Sequence, residues 1–299
     1  MLSSGRVQCR KIWGRNLKMT MHCFMAPAKI NLCLHVLGRR SNGYHDLSML
    51  MQKVSLYDEV RIGIRSGTGV RVECDGVRLQ EGEVNIAMRA AEALLSHIPG
   101  TAPGIDIHIE KYIPIAAGLG GGSSNAATVL VALDKLLDLN LNKKRLARLA
   151  LELGADVPFF LGSSPAWAEG VGEVLTPLEH ELPKFFFVLV NPGIALSTAQ
   201  VYRRVERYTI CPTRDRIITN FEELVSVLHN DLEPAALQLS PEVGRVKAAL
   251  LENGARGALM SGSGSTVFGV FESHADANKA AELLKLIFGW WTRVVVGVS

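Results

Sequence analysis

An α+β fold is predicted by three observations on this 299-residue chain. Segments such as "AKINLCLHVLGR" and "GIDIHIEKYIP" alternate apolar and polar residues, which places successive side chains on opposite faces of an extended strand. Segments such as "KKRLARLALELG" repeat apolar residues at i, i+3, i+4 and i+7, which is helical spacing. Both kinds occur in each half, so each half reads as strands with helices packed on them. Hydrophobic content of 48% against 20% charged is enough to bury a real core.

The elements follow in order. From Ala28 to Arg39, residues Ile30, Leu32, Leu34 and Val36 share one strand face, and Lys29 and Asn31 share the other. A polar turn, "RRSNGYHDL", carries Asn42-Gly43. "DEVRIGIR" and "GVRVEC" read as further short strands, and Asn85 to Ile98 as a helix. Ile105, Ile107 and Ile109 alternate before Pro114. A glycine-rich loop then leads to a helix expected from about Ser124 to Leu139. Asn142 is placed to cap the next helix, and Gly154 to stop it. "KFFFVLVNPG" is a buried-strand run, "NFEELVSVLHNDL" and "PEVGRVKAALLENG" are helical, and "GALMSGSGSTVFGVF" reads strand, glycine turn, strand. "ADANKAAELLKLIFG" is a last helix and "TRVVVGV" a closing strand. Composition shifts across Gly162–Glu173, the expected boundary between domains at 25–170 and 171–299.

Charge and cysteine usage narrow the class. A net charge of +3 is too small to argue for nucleic acid. No apolar run approaches the ~20 residues of a membrane span. The partner expected is a small molecule. Eight Lys/Arg precede the first acidic residue, Asp46, so positive charge concentrates in a basic extension, residues 1–24, expected to be disordered. That extension lacks the apolar core of a secretion signal. Five cysteines without a CxxC pair fit a reducing compartment.

The segment "IPIAAGLGGGSSNAATVLVALDKLL" carries the chemistry. A helix N-terminus presents outward N–H groups and roughly half a positive charge. Glycines ahead of it let backbone approach an anion closely. Gly118, Leu119, Gly120, Gly121 and Gly122, followed by Ser123 and Ser124, read as a main-chain phosphate cradle, with one hydroxyl for a phosphate oxygen or Mg²⁺ and the other as a helix cap. No lysine follows the glycines as a Walker loop requires, and Ser123 stands where a dinucleotide fingerprint needs Gly or Ala. A flexible loop before a capped helix is the bland alternative.

"PIAAGLGGGSSNAA", from Pro114, resembles the nucleotide loop of the GHMP kinases, the superfamily of galactose, homoserine and mevalonate kinases. Its extra glycines and Asn125 resemble one branch, the 4-diphosphocytidyl-2-C-methyl-D-erythritol kinases. "APAKINLCLHVLGRRSNGYHDLSMLMQ", "GADVPFFL", "AWAEGVGEVLTPL" and "MSGSGSTVFGVF" resemble further segments of that branch, in the same order. The resemblance runs from about Met25 to the C-terminus. It implies a two-domain GHMP kinase fold, with a ribosomal-protein-S5-like N-terminal domain, a ferredoxin-like C-terminal domain and both substrates in the cleft between the halves. ATP is the implied co-substrate and Mg²⁺ the implied ion. The implied reaction phosphorylates the 2-hydroxyl of the cytidyl alcohol in the non-mevalonate isoprenoid pathway. A monomer or homodimer, in bacterial cytosol or a plastid, is the corresponding expectation.

The same resemblance assigns roles. Asp156, in "GADVPFF", would be the general base; its spacing alone also suits a helix N-cap before Pro158. Lys29 would polarise the hydroxyl and offset charge on the moving phosphoryl, and Asn31 would position substrate; the alternative is a solvated strand face. Tyr44 and His45 would take the cytosine, by stacking and by its polar edge, where a plain turn is the alternative. Tyr202 is the candidate to close that sandwich from the far side, or else a core residue. Lys111 is a candidate for a substrate phosphate, or an ordinary surface lysine. The "SGSGS" turn at Ser261–Ser265 would support the phosphate loop, and Glu169 is read as structural. No residue is singled out as a metal ligand. Two other readings stand beside this one: a sister kinase acting on mevalonate or homoserine, and a non-catalytic nucleotide-binding protein.

Overall fold

A computed structural model describes residues 5–7, 20–76, 84–179, 182–209 and 218–299. In chain order it forms β1 (Gly5–Val7), β2 (Met21–Arg39), β3 (His45–Arg65), β4 (Val70–Cys74), α1 (Ile86–Leu95) and β5 (Gly104–Glu110). Then come α2 (Gly121–Leu136), α3 (Lys143–Leu153), α4 (Val157–Leu161), β6 (Ala166–Gly170), β7 (Val174–Pro177) and β8 (Phe186–Asn191). The chain ends through α5 (Thr198–Arg203), α6 (Phe221–Val227), β9 (His229–Asn230), α7 (Glu233–Leu239), α8 (Glu242–Glu252), β10 (Gly257–Met260), β11 (Val267–Phe271), α9 (His274–Phe288) and β12 (Trp291–Val298). Among the described residues no helix is long and apolar enough to cross a membrane.

The chain makes two compact units from interleaved pieces rather than from two halves. One takes the described residues up to Pro27 with Tyr57–Ile113 and Gly121–Leu161; the other takes Ala28–Leu56, Pro114–Gly120 and Gly162–Ser299. The single boundary expected near residue 170 misses this because β2, of 19 residues, and β3, of 21, each run on from one unit into the other. A break in composition does not register a strand that simply continues.

In the first unit β5 pairs antiparallel with β3, from Glu59↔Glu110 to Arg65↔Gly104, and parallel with β4. The alternating isoleucines of β5 point into a core with Val60, Ile62, the alanines of α1 and the Ala126–Leu133 face of α2. The helices close on that sheet through small side chains: Ala87, Ala90 and Ala91 are fully buried on α1. Asn142 caps α3 as expected, its side chain accepting from Arg145 N at 3.0 Å. Most of the extension expected to be disordered, residues 1–24, lies outside the described residues, but residues 5–7 and 21–24 of it are strand. β2 begins at Met21, and Gly5–Val7 pairs antiparallel with Met21–Cys23. The reason is apolar burial, since Met21 and Phe24 are 3% and 2% exposed. Residues 8–19, with Cys9, lie outside the described residues.

In the second unit the antiparallel order is β3-β12-β8-β11-β10, with β6 and β7 as a hairpin on β3. β8 is central to that order and buried from Phe187 to Asn191, as its unbroken apolar run requires. The β10–turn–β11 hairpin and the β12 closing strand match expectation. The helix expected through "NFEELVSVLHNDL" stops at Val227, because His229 and Asn230 leave it to pair parallel with Cys33 and Leu34.

Candidate functional site

The glycine loop folds as a tight turn followed at once by a helix. Positive φ occurs at Ala116 (51°), Gly118 (76°) and Gly120 (70°), alternating with ordinary backbone at the residues between. Such alternation turns successive N–H groups into a concavity suited to an anion. The carbonyls on the other side are all engaged. Thr266 N donates to Ala117 O at 3.3 Å, Ser261 Oγ to Gly118 O at 3.0 Å, and Lys29 N to Leu119 O at 2.9 Å. In a trans peptide the next N–H points opposite to the carbonyl. The N–H groups of Gly118, Leu119 and Gly120 are therefore turned away from these partners. The "SGSGS" turn does support the loop: a Cβ on Gly118 would lie 2.0 Å from Ser261 O.

α2 starts at Gly121, three residues earlier than expected, and ends at Leu136. Neither Ser123 nor Ser124 is its cap, because both already lie inside the first turn. Ser124 is fully buried and Asn125 is 4% exposed, yet Ser124 Oγ and Asn125 Oδ1 have no hydrogen-bond partner among the described residues. Buried polar oxygens without partners are costly. Near a helix N-terminus they fit an external ligand of the type the resemblance implies: a hard cation such as Mg²⁺ takes both oxygens, and the Ser124 hydroxyl could instead donate to a phosphate. Lys111 stands at the same helix end: a Cβ on Gly121 would be 3.0 Å from Lys111 Nζ. Its ammonium is paired with Asp58, whose fully buried carboxylate also accepts from the N–H groups of Tyr112 and Ile113, both at 2.8 Å. Sequence reasoning missed Asp58, which reads there as one more charge in "YDEVR".

Lys29 and Asn31 share a face of β2, as the alternation requires, but that face is not solvated. They are 4% and 0% exposed, and Lys29 Nζ donates to Asn31 Oδ1 at 2.6 Å. A Cβ on Gly262 would lie 3.4 Å from Lys29 Nζ and 3.5 Å from Asn31 Oδ1, so the buried amine sits against the turn that supports the glycine loop. Asp156 is half-buried, the last of three residues between α3 and α4, directly before Val157. Glu169 lies on β6, paired across to Ser48 and Val174.

The NGYH turn closes on itself, with Arg40 N donating to Tyr44 O at 2.8 Å and Tyr44 N to Asn42 Oδ1 at 3.1 Å. This leaves Tyr44 63% exposed, an aromatic face open to a ligand. Tyr202, from α5, stacks on His45 with centroids 5.1 Å apart and planes at 29°. Tyr208 tilts against His45 at 6.3 Å and is 43% exposed. It was not anticipated, since nothing in its spacing marks it. Burial, and to a lesser degree the Arg39 charge, lower the His45 pKa. At neutral pH its imidazole is uncharged, with one nitrogen donating and one accepting.

The family models for the GHMP kinases N terminal domain and GHMP kinases C terminal match residues 85–163 and 215–285. The chain is 52% identical over 275 residues to the 4-diphosphocytidyl-2-C-methyl-D-erythritol kinase of Syntrophotalea carbinolica, covering 90% of this chain and 96% of that protein. It is 49% identical to the protein of the same name from Geobacter sp. strain M21, over 91% and 97% of the two chains. A crystal structure of a 4-(cytidine 5'-diphospho)-2C-methyl-D-erythritol kinase superposes with a TM-score of 0.75 at 39% identity, covering 93% of this chain and all of that one.

Proposed function

The chain belongs to the GHMP kinases, in the branch of the 4-diphosphocytidyl-2-C-methyl-D-erythritol kinases, and from that premise we infer that it transfers the γ-phosphoryl group of ATP to the 2-hydroxyl of 4-diphosphocytidyl-2-C-methyl-D-erythritol. The observation that carries the site assignment is the buried Lys29 amine, held by Asn31 against the turn whose carbonyls anchor the glycine loop.

Phosphoryl transfer asks little covalent work of a protein; positioning and charge stabilisation do most of it. The N–H groups of Gly118–Gly120 and the N-terminus of α2 with Gly121, Gly122 and Ser123 hold the triphosphate. Lys111 lies at that helix end, where its ammonium, balanced by Asp58, is a further donor for a phosphate oxygen. Asp156 accepts the proton of the attacking hydroxyl, and Lys29 offsets the negative charge that grows on the transferring group. Asn31 fixes the lysine. Pro114 ends the chain leading into the loop, and its fixed φ limits the ways the loop can start. A bound Mg²⁺ would supply charge neutralisation at the phosphate oxygens; Ser124 Oγ and Asn125 Oδ1 are the oxygens suited to meet it, and the Ser124 hydroxyl alone could instead donate to a phosphate. The cytosine stacks on Tyr44, with His45 reading its polar edge and Tyr202 holding His45 in place.

The test is ADP release from MgATP with the cytidyl alcohol, beside mevalonate and homoserine, for wild type and Asp156→Asn. We expect turnover with the cytidyl alcohol alone, and a kcat lower by about 10²–10⁴-fold in the variant, the range for a lost general base. Turnover of mevalonate or homoserine in its place would overturn the substrate assignment. Undiminished kcat in Asp156→Asn would overturn the base.

A further inference from the structure

Away from the residues given a role above, three metal-capable side chains converge where β9 meets β2. His35 and His229 stack with centroids 4.7 Å apart and planes at 17°. His229 Nε2 and Asp231 Oδ1 share a hydrogen bond of 2.6 Å. One donor atom from each of the three lies within 4.8 Å of the others, and among the described residues this is the one such group of three.

The backbone builds this cluster. β2 and β9 pair parallel in the register Cys33↔His229 and Leu34↔Asn230, which sets the two imidazoles side by side. Asp231 is clamped through its other oxygen: Oδ2 accepts from Val36 N and from Thr209 Oγ1, both at 2.7 Å. Oδ1 is left facing His229. His35 Nδ1 is buried and has no hydrogen-bond partner among the described residues, so one imidazole nitrogen is held out of water without compensation. An external ligand at that nitrogen would remove the cost.

The donor set decides the ligand class. Mg²⁺ and Ca²⁺ take oxygen ligands, whereas two imidazoles and a carboxylate suit Zn²⁺, Co²⁺ or Ni²⁺. A tetrahedral ion with bonds of 2.0–2.1 Å holds its ligand atoms roughly 3.3 Å apart. His229 Nε2 and Asp231 Oδ1, now 2.6 Å apart, must therefore open to about that separation, while the wider spacings, within 4.8 Å, close to it. Binding would turn one imidazole out of the 17° stack about its broad χ2 torsion, so that both in-plane lone pairs meet the ion.

We propose that His35, His229 and Asp231 form a binding site for a borderline divalent transition-metal ion such as Zn²⁺ or Co²⁺, separate from the oxygen-rich phosphate cradle. The ion takes the place of the proton shared between His229 and Asp231. The side chain of His229 is half exposed, so the ion has a way in and a coordination position open to water. The site also touches the cytosine side of the protein. Thr209, bonded to Asp231, donates its N–H to Val36 O at 2.8 Å, and the preceding residue is Tyr208, which packs against His45. A cation that pulls on Asp231 thus acts one hydrogen bond from that aromatic.

This inference does not depend on the kinase reading, and its test uses no substrate. The full-length protein, stripped with chelator and free of nucleotide, is titrated with Co²⁺ and followed by visible d–d absorption and calorimetry. One equivalent is expected to bind, to be displaced by Zn²⁺ and to resist a large excess of Mg²⁺. His229→Ala, at a half-exposed position where folding is kept and checked by circular dichroism, should weaken Co²⁺ binding at least tenfold. His35→Gln should do the same. The proposal is overturned if no saturable absorption appears, if Mg²⁺ displaces the ion as readily as Zn²⁺, or if His229→Ala binds like wild type.

Discussion

Gly118→Ala probes the phosphate cradle at its tightest point. Gly118 has a φ of 76°, and an added Cβ would fall 2.0 Å from Ser261 O and 3.1 Å from both N and O of Gly264. All three are backbone atoms, which cannot swing aside as a side chain would. Reaching ordinary contact requires a shift of about 1 Å or more. The left-handed conformation alone costs an alanine about 1–2 kcal/mol. The shift also strains the 3.0 Å bond from Ser261 Oγ to Gly118 O and the 2.9 Å bond from Lys29 N to Leu119 O, at about 1 kcal/mol each. The sum is about 3–4 kcal/mol of stability. A misplacement of about 1 Å in positioning groups costs on the order of 10²-fold in rate. Steady-state ADP release at varied MgATP should show kcat/KM lower by about 100-fold, and urea denaturation should show the lost stability. Gly100→Ala is the control, with a φ of 82° and nothing within 4 Å. It should lose only the about 1–2 kcal/mol of backbone strain and keep its kinetics. If Gly118→Ala matches that control in both measurements, the cradle geometry described above is wrong.

Other perturbations follow from single residues. Ser124→Ala removes a buried hydroxyl that has no partner among the described residues, so the apoprotein should gain up to about 1 kcal/mol while its KM for MgATP rises; unchanged kinetics would remove Ser124 from the site. Asp58→Asn leaves the Lys111 ammonium without its buried carboxylate and should cost about 3–5 kcal/mol, read as a lower denaturation midpoint. Burial lowers the Lys53 ammonium from 10.5 to about 8. Between those values the unfolded chain holds more protons than the folded one, so stability rises as pH rises through that window, by up to about 3 kcal/mol. Denaturation at about pH 7.5 and about pH 9.5 should show this gain in wild type and not in Lys53→Met; parallel slopes would refute the cause.

The site was legible in the sequence to different depths. Alternation along β2 assigns Lys29 and Asn31 to one face, because period two is a property of the strand itself. It does not reveal that the face is buried, since what covers a strand comes from distant chain, here the turn at Gly262. The start of α2 was misplaced because glycines are poor helix formers and leave no side chain to mark the phase. Asp58 and Tyr208 were missed for a shared reason: each acquires its meaning from a contact far along the sequence, with Lys111 and His45 respectively. The length of β3 was underestimated because successive stretches of it pair with β6, β12 and β5, strands far along the sequence.

The interleaving of the two units has a consequence for synthesis. The described part of the first unit is in place once Leu161 has been made, whereas the second needs both Ala28–Leu56 and β12, far along the chain. On a ribosome the earlier unit can fold while the other waits with its first strands already emerged. During that interval the β3 segment that later pairs with Gly297 and Val298 of β12 has no strand at that edge. Unpaired strand edges recruit wrong partners. The vulnerable interval therefore lasts until β12 has been made, and removing β12 is more damaging than its eight residues suggest, since it lies between β3 and β8.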